Sequence, residues 1–317
     1  MNRVFGTIVL AFAILAPSPD RVWAQNIEAG QKTTAAPFDL KWEDSAGEPR
    51  PPMTCETREK NFLGLDAAPL EGPLEADRPD FTESPRTIPR GRIQLEGGYT
   101  YYADDEKGRR TGNHVFPEFL LRIGLVDRLE MRLEWEGWSF TEELFVERND
   151  SGRRVRRKDH DDGGSDMGVG FKAELLDQRG FIPQLAFIGH LSLPTGAGGK
   201  TSGDVDPTGM FVWAYDLTED WMMGGNINLG VLTSEKGRFF QPAASLTVGY
   251  SITEKLGAYT EYIGIFPNDR GSDCAHTLNG GFTYHLTDNL MFDIRAGVGL
   301  NEEADDFFIG TGFAIRL

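Results

Sequence analysis

The sequence predicts an all-β fold: a transmembrane antiparallel β-barrel of about 12 strands, with short periplasmic turns and longer outer loops. Three observations predict it. Segments with alternating apolar and polar residues recur along the chain, their connections alternate between short and long, and aromatic residues collect near the segment ends. The composition agrees, since the 317 residues include 38 glycines and 11% aromatic residues, while a formal charge of -17 argues against binding to nucleic-acid phosphates.

The first 24 residues have the layout of a secretory signal peptide. Arg3 supplies a basic start, an apolar run extends from Val4 to Ala16, and Val22-Trp23-Ala24 precedes Gln25. The run is too short to span a bilayer as a helix, which favours a signal over a membrane anchor. We therefore expect export, cleavage after Ala24, and a location in the outer membrane of a Gram-negative-type bacterium, with the barrel-assembly machinery as an implied partner.

Residues 25–85 are polar and rich in proline, and they show no sustained period. Proline interrupts regular secondary structure, so this stretch predicts a flexible periplasmic N-terminal arm. The alternative, that the arm tucks into the pore, stays open at this point. The barrel is then expected over residues 86–317.

The clearest alternation runs from Leu129 to Glu136, where four apolar residues share one face and four charged residues share the other. Each predicted strand is long enough to cross a bilayer when tilted. The predicted strands are about 91–103, 114–125, 128–140, 166–176, 182–193, 208–217, 221–233, 239–252, 256–266, 275–286, 290–300 and 306–317.

The short connections repeat one pattern, in which an acidic residue follows threonine or valine and an apolar residue comes two positions later. An acidic side chain in a tight turn can accept backbone N–H groups locally. The acids of the last three turns, Glu219, Glu254 and Asp288, lie 35 and 34 residues apart, which is one hairpin per repeat. A β-propeller would need four strands per repeat, so this spacing favours a barrel.

Strand parity predicts which side chains line the lumen, and most of them are charged or strongly polar. A polar pore and a closed barrel filled by a lattice of salt bridges are both compatible with this set, in which acidic residues outnumber basic ones. The predicted pore-lining residues are Arg92, Glu96, Glu118, Arg122, Glu130, Arg132, Glu134, Glu136, Lys172, Glu174, His190, Asn226, Asn228, Glu261, His285, Asp293, Arg295 and Arg316.

Two motifs suggest chemistry that their context does not support. Residues 194–201 approach a phosphate-binding loop, but Pro194 replaces its first glycine and no helix is expected to follow. His190 and Ser192 have the spacing seen in membrane lipid hydrolases such as outer-membrane phospholipase A, yet parity points both into the lumen and no third residue is available to orient the histidine.

A basic run at 153–158 is followed by acidic residues at 159–162. The basic residues could contact lipopolysaccharide phosphates, the acids could hold a divalent cation, or the whole run could simply be solvated. Cys55 and Cys274 are predicted at opposite ends of the barrel, so a disulfide between them is not expected.

Two local sequences, Asp77-Arg78-Pro79-Asp80-Phe81-Thr82 and Ser192-Leu193-Pro194-Thr195-Gly196, resemble motifs of the outer-membrane transporters named after the meta-pathway of phenol degradation. The repeated Thr-acid turns fit the same family. The resemblance covers about residues 75–317. It implies traffic of small organic molecules, with outer-membrane lipid and a small-molecule solute as partners.

The sequence thus favours a channel or transporter for passive passage of small solutes, with small organic or aromatic compounds as one class of cargo. A structural or adhesive barrel with a closed, salt-bridged lumen is the alternative, and a lipid hydrolase using His190 and Ser192 is less favoured. We expect no enzymatic activity, no catalytic residue, no metal and no cofactor.

Overall fold

A computed structural model describes residues 59–61, 64–106, 108–148, 154–234, 236–269 and 271–317. The predicted signal peptide, its cleavage site, residues 25–58 of the predicted arm and Cys55 lie outside the described residues. Within the described ranges there is no helix with the length and apolarity needed to cross a membrane.

Twelve antiparallel strands form a closed barrel, which confirms the predicted fold class. Each strand pairs with its neighbours in the wall, and the first strand also pairs with the last. The barrel is therefore closed and has no unpaired edge strand. The barrel strands are β3 (Ile93–Glu106), β4 (Arg109–Val126), β5 (Leu129–Trp135), β8 (Met167–Leu176), β9 (Gln184–Leu193), β10 (Asp206–Asp216), β11 (Trp221–Ser234), β12 (Gly237–Ser251), β13 (Leu256–Ile265), β14 (Ala275–Thr287), β15 (Leu290–Gly299) and β16 (Phe307–Arg316).

The distribution of polarity is inverted relative to that of a water-soluble protein. On β15, Asp293 and Arg295 are 5% and 6% exposed, whereas Phe292 and Ile294, which alternate with them, are 47% and 48% exposed. Side chains alternate across a strand, so one face of every strand must point into the lumen and the other outward. Exposed apolar side chains around the whole wall require a lipid environment.

The third barrel strand is shorter than the predicted strand at residues 128–140. β5 stops at Trp135, the chain kinks at Gly137 with a φ of 104°, and a further strand β6 (Trp138–Arg148) continues along the upper part of β4. Strand β7 (Arg154–Gly164) then returns beside β6. The predicted strands included none between residues 140 and 166, and this was wrong. The strand β7 carries almost no apolar alternation, and its strand conformation comes from backbone pairing with β6.

The predicted arm also differs from expectation in its last part. A short pair of strands, β1 (Glu59–Lys60) and β2 (Asp66–Ala67), precedes residues 74–91, which we call the re-entrant loop. The loop begins at the short-turn end, where the N–H of Leu74 donates to the carbonyl of Asp288, and it returns to the same end, where the N–H of Gly91 donates to Gly124. Between these points it lies inside the barrel, so residues 74–85 are not a periplasmic arm.

Candidate functional site: the lumen and its re-entrant loop

The carboxylate of Asp77 is the centre of charge in the lumen. The Nζ atom of Lys172 lies 2.8 Å from it and Nη1 of Arg122 lies 3.3 Å from it, while Arg132 donates a further hydrogen bond. Arg132 also pairs with Glu83 of the loop at 3.0 Å. The Asp77, Lys172, Arg122 and Arg132 side chains are at most 2% exposed, so the loop and three barrel strands share one buried charge network.

The next loop residue, Arg78, reaches a different part of the wall. Its guanidinium donates to Glu118 on β4 and to Asp293 on β15, the latter with 3.3 Å between Nε and Oδ2. Gly98 and Gly312 are paired at this level on β3 and β16. A Cβ atom on either glycine would overlap the guanidinium. The two glycines therefore form a slot that admits the arginine side chain.

The tip of the loop docks on β11, β12 and β13. The N–H of Phe81 donates to Glu261 at 3.0 Å, and the Oγ1 atom of Thr82 donates to the same carboxylate at 2.6 Å. Asn226 donates to the carbonyl of Phe81 at 3.1 Å, and Ser245 lies 2.7 Å from the Thr82 hydroxyl. Since these strands face β3 and β4 across the barrel, the loop crosses the lumen.

Arg295 covers the tip from the β15 side. Its guanidinium carbon lies 5.0 Å from the ring centroid of Phe81 and 5.8 Å from that of Phe308, within cation–π range. Its Nη1 atom donates to the carbonyl of Pro79 at 2.9 Å. The side chain therefore contacts both the backbone and a ring of the loop.

The return half of the loop is held by acidic side chains of the wall. Glu174 accepts hydrogen bonds from the N–H and hydroxyl of Thr87 at 2.7 and 2.8 Å. Glu130 accepts from the N–H of Ile88 at 2.7 Å. These carboxylates satisfy backbone donors that an irregular segment inside a barrel could not otherwise pair.

The structure divides the predicted pore-lining residues into three groups. The first group contacts the re-entrant loop and comprises Glu96, Glu118, Arg122, Glu130, Arg132, Lys172, Glu174, Asn226, Glu261, Asp293 and Arg295. The second group, Arg92 and Arg316, bonds the carbonyls of Ala68 and Gly72 just before the loop. The third group comprises Glu134, Glu136, His190 and His285, which line cavities beyond the loop, and Asn228, which shares the face of Asn226.

Sequence reasoning missed the partners that the loop itself supplies. Asp77, Arg78, Phe81, Thr82 and Glu83 hold most of the contacts across the lumen. The charge-rich DRPDFT segment was a usable signal, but it was placed at the approach to the first strand.

An inner cavity of about 430 Å³ lies at the short-turn end of the lumen. The re-entrant loop contributes Asp80 and Thr82 to its lining, and the wall contributes Gln184, Ala214 and His285. This end of the lumen is therefore not filled by protein atoms.

An outer cavity of about 370 Å³ lies at the opposite end and carries several carboxylates, among them Glu134 and Glu136. Asp166 at its rim accepts hydrogen bonds from the N–H groups of Gly196 and Ser202 at 2.7 and 2.9 Å. Partial burial acts to raise the pKa of Asp166, but these N–H donors outweigh it and the pKa is lowered. The carboxylate is thus ionised at neutral pH and anchors the loop that follows β9.

His190 and Ser192 both line the outer cavity. The Nε2 atom of His190 lies 3.4 Å from Glu134 and, among the described residues, has no hydrogen-bond partner, so it makes no hydrogen bond to Ser192. The pair therefore has the lumenal position that parity predicted, without the contact that a nucleophile and its base require.

On β9 and β10, the luminal wall between the two cavities is apolar. Ala186 and Ile188 on β9 and Val212 on β10 pack together and are 0% exposed, with Met210 beside them. Along β9 the luminal row runs from Gln184 in the inner cavity to His190 in the outer one. This strip, unlike the walls that hold the loop, carries no acidic or basic side chain except the histidine at its outer end.

No cluster of three or more histidine, cysteine or acidic side chains in the described ranges is arranged to hold a metal ion. Cys274 is an exposed free thiol.

A closed twelve-stranded antiparallel barrel with an apolar outer wall and a charged lumen is a transmembrane β-barrel of the outer-membrane kind. Within that class, residues 76–317 match the family model described as "Putative MetA-pathway of phenol degradation", and the chain belongs to this family. The resemblance found in the sequence is thereby confirmed. No curated protein matches the sequence.

Among solved structures, an outer membrane channel from Pseudomonas putida F1 is similar, with a TM-score of 0.51 and 16% identity over 77% of this chain and 100% of that one. The NanC porin has a TM-score of 0.41 and 13% identity, covering 71% of this chain and 100% of its own. The translocator domain of the autotransporter NalP from Neisseria meningitidis has a TM-score of 0.45 and 7% identity, covering 71% and 88%. At these identities the first likeness supports the fold, and the other two add no argument.

Proposed function

We propose that this protein is an outer-membrane channel for passive passage of small solutes, whose lumen is narrowed by the re-entrant loop. The observation that carries this proposal is the uncharged strip on β9 and β10, which runs from the outer cavity to the inner cavity. The ionic contacts of the loop lie on other strands, so movement of the loop away from this strip would join the cavities without dismantling the wall.

The strip also supports a class of cargo. Its middle section is apolar at Ala186, Ile188 and Val212, while both cavities are lined by polar groups. Such a path favours small amphipathic molecules, which can leave water at the mouth and contact apolar side chains at the constriction. Small aromatic compounds fit this description, in line with the description of the family.

Conductance of the mature protein in planar bilayers, combined with a reversible lock on the loop, tests the proposal. The hydroxyl of Thr82 in the loop lies 2.7 Å from the hydroxyl of Ser245 on β12. Cysteines at both positions, with the native cysteines replaced by serine, can therefore form a disulfide that fixes the loop to the wall. We expect low conductance when the pair is oxidised, and conductance at or above the wild-type level after reduction, because the variant lacks the Thr82 hydroxyl that bonds Glu261. The Thr82→Cys single variant is the control and should not respond to reductant.

The density of ion pairs around Asp77 favours a second candidate, a structural or adhesive barrel with a closed lumen. That candidate predicts no current from the wild type or from the reduced double-cysteine variant. A membrane lipid hydrolase is tested separately by esterase assay of Ser192→Ala, in which loss of an activity present in the wild type would support catalysis.

A further inference from the structure

The hairpin of β6 and β7 continues the wall beyond the barrel at the long-loop end, together with the upper parts of β3 and β4. We call these residues, 99–106, 108–116, 138–148 and 154–164, the blade. Register places Tyr101, His114 and Phe140 in one row across β3, β4 and β6, and Phe116 beside Trp138 in the row nearest the barrel. All of these side chains are on the outward face, so the blade continues the surface that faces lipid.

The outward face of the blade carries exposed apolar side chains at several levels above the barrel. Phe116 and Phe140, near the barrel, are 56% and 47% exposed. Further out, Leu144 and Val146 remain about half exposed, at 47% and 54%. An apolar face this extensive on the lipid side of the wall is suited to contact with the upper part of the outer leaflet.

Basic side chains stand in the same rows as the outer apolar residues. Lys158 is paired in register with Leu144, and Arg156 with Val146, while Arg154 lies one row further out. Arg110 of β4 completes the row of Leu144. Arg154, Arg156 and Lys158 are exposed. These cations therefore lie above the aromatic band, separated from the row of Phe140 by a row that holds Glu142 and His160, on the face that continues the lipid-facing wall.

A concave pocket of about 370 Å³ opens on this face between β3, β4 and β6. Tyr101 and His114 contribute to its lining, together with Arg110, Asp105 and Glu142. Asp105 pairs with Arg110 at 2.8 Å, and Glu142 pairs with Lys158 at 2.7 Å. A pocket with an aromatic side chain, carboxylate acceptors and a guanidinium donor suits a hydroxyl-rich ring such as a sugar.

We infer that the outward face of the blade is a docking surface for lipopolysaccharide of the outer leaflet, with Arg154, Arg156 and Lys158 receiving its phosphate groups. The vertical order on the blade matches that of the lipid, with apolar chains lowest, then phosphates and sugars. A soluble protein partner would not require basic residues to lie above aromatic residues on a face that continues the membrane-facing wall. The inference is independent of whether the lumen conducts.

Binding of purified lipopolysaccharide to the full-length mature protein in detergent tests this inference. The variant Arg154→Gln/Arg156→Gln/Lys158→Gln should bind at least about tenfold more weakly than the wild type, because each basic residue near an anionic lipid surface contributes to affinity. Its affinity should also depend less on salt concentration. Enzymatically dephosphorylated lipopolysaccharide should bind the wild type as weakly as the intact lipid binds the variant.

A matched variant controls for net charge. Arg109→Gln/Lys236→Gln/Arg238→Gln removes three cations from the inner face of the blade and from another outer loop, and it should bind as the wild type does. Heat-modifiable mobility in SDS verifies that both variants form the barrel. Equal affinity of the blade variant and the wild type, equal loss in the two variants, or equal binding to anionic phospholipid vesicles would overturn the inference.

Discussion

The Nζ atom of Lys172 on β8 lies 2.8 Å from both carboxylate oxygens of Asp77 in the re-entrant loop. Lys172 also donates to the carbonyl of Ser84 at 2.7 Å, so one ammonium group joins the entering and returning halves of the loop. Because the two side chains are 0% and 2% exposed, their interaction is weakly screened by solvent and salt. This pair therefore helps to hold both halves of the loop in the lumen.

Replacing Asp77 with alanine should release the loop. Lys172, Arg122 and Arg132 would lose their common anion, and removing one partner of a buried ion pair costs about 3–5 kcal/mol. Water entering the barrel would solvate the cations most easily if the loop moved out. We expect a severalfold rise in single-channel conductance and faster amide hydrogen exchange in residues 76–88.

The control for that experiment is Glu75→Ala. Glu75 is in the same loop, but its side chain is 52% exposed and pairs with Arg86. Surface pairs contribute about 0–1 kcal/mol, so this change should leave conductance and exchange unaltered. Equal effects of the two substitutions would show that Asp77 does not hold the loop.

Gly98→Ala should displace Arg78 from its slot. The three atoms nearest to the added Cβ all belong to the Arg78 guanidinium, so the flexible arginine side chain must move while the wall can stay in place. The barrel should still form, since alanine is compatible with a strand, but residues near Arg78 should exchange faster and conductance should rise. Gly209→Ala is the control, because a Cβ at that position meets only ordinary contacts with Phe187 at 3.4 Å or more.

The lumen should prefer cations weakly if it conducts. Glu134 and Glu136 line the outer cavity, and Arg132 at 2.9 Å offsets the charge of Glu134 only in part, because it is shared with Asp77 and Glu83. Changing both glutamates to glutamine should shift the reversal potential in a KCl gradient towards anions. Glu142→Gln on the blade removes one negative charge outside the lumen and should not shift the reversal potential. Anion preference in the wild type would contradict this reading of the lumen.

Asp166 should control access to the loop between β9 and β10. Asp166→Ala removes the acceptor of two backbone N–H groups, so trypsin should cleave after Lys200 severalfold faster than in the wild type. Asp166→Asn keeps one acceptor oxygen and should give an intermediate rate. Because the pKa of Asp166 is lowered in the folded protein, its contribution is complete above the ordinary value of 3.8 and is lost only as the pH falls through the lower, folded-state value. Unchanged cleavage in both variants would rule out this anchoring role.

The alternation of apolar and charged residues was sufficient to predict the barrel, because a bilayer outside and a polar lumen inside impose opposite requirements on successive side chains. At β15, for example, Phe292, Asp293, Ile294 and Arg295 are assigned to the correct faces by parity alone. The same rule placed Lys172, Glu261 and His190 towards the lumen. It failed at β7, where the residues from Arg154 to Asp162 are nearly all charged, so the strand shows no apolar alternation.

What the sequence by itself determined is the number of barrel strands, their faces and the short turns between them, since these follow from local periodicity over about ten residues. Only the tertiary structure decided that residues 74–91 enter the lumen. No local pattern distinguishes that segment from a solvated arm, because its stability comes from side chains distant in the sequence: Asp77 needs Lys172 and Arg132, Arg78 needs the gap between Gly98 and Gly312, and Thr82 needs Glu261. These partners come together only when the barrel closes, so the position of the loop is a property of the closed barrel.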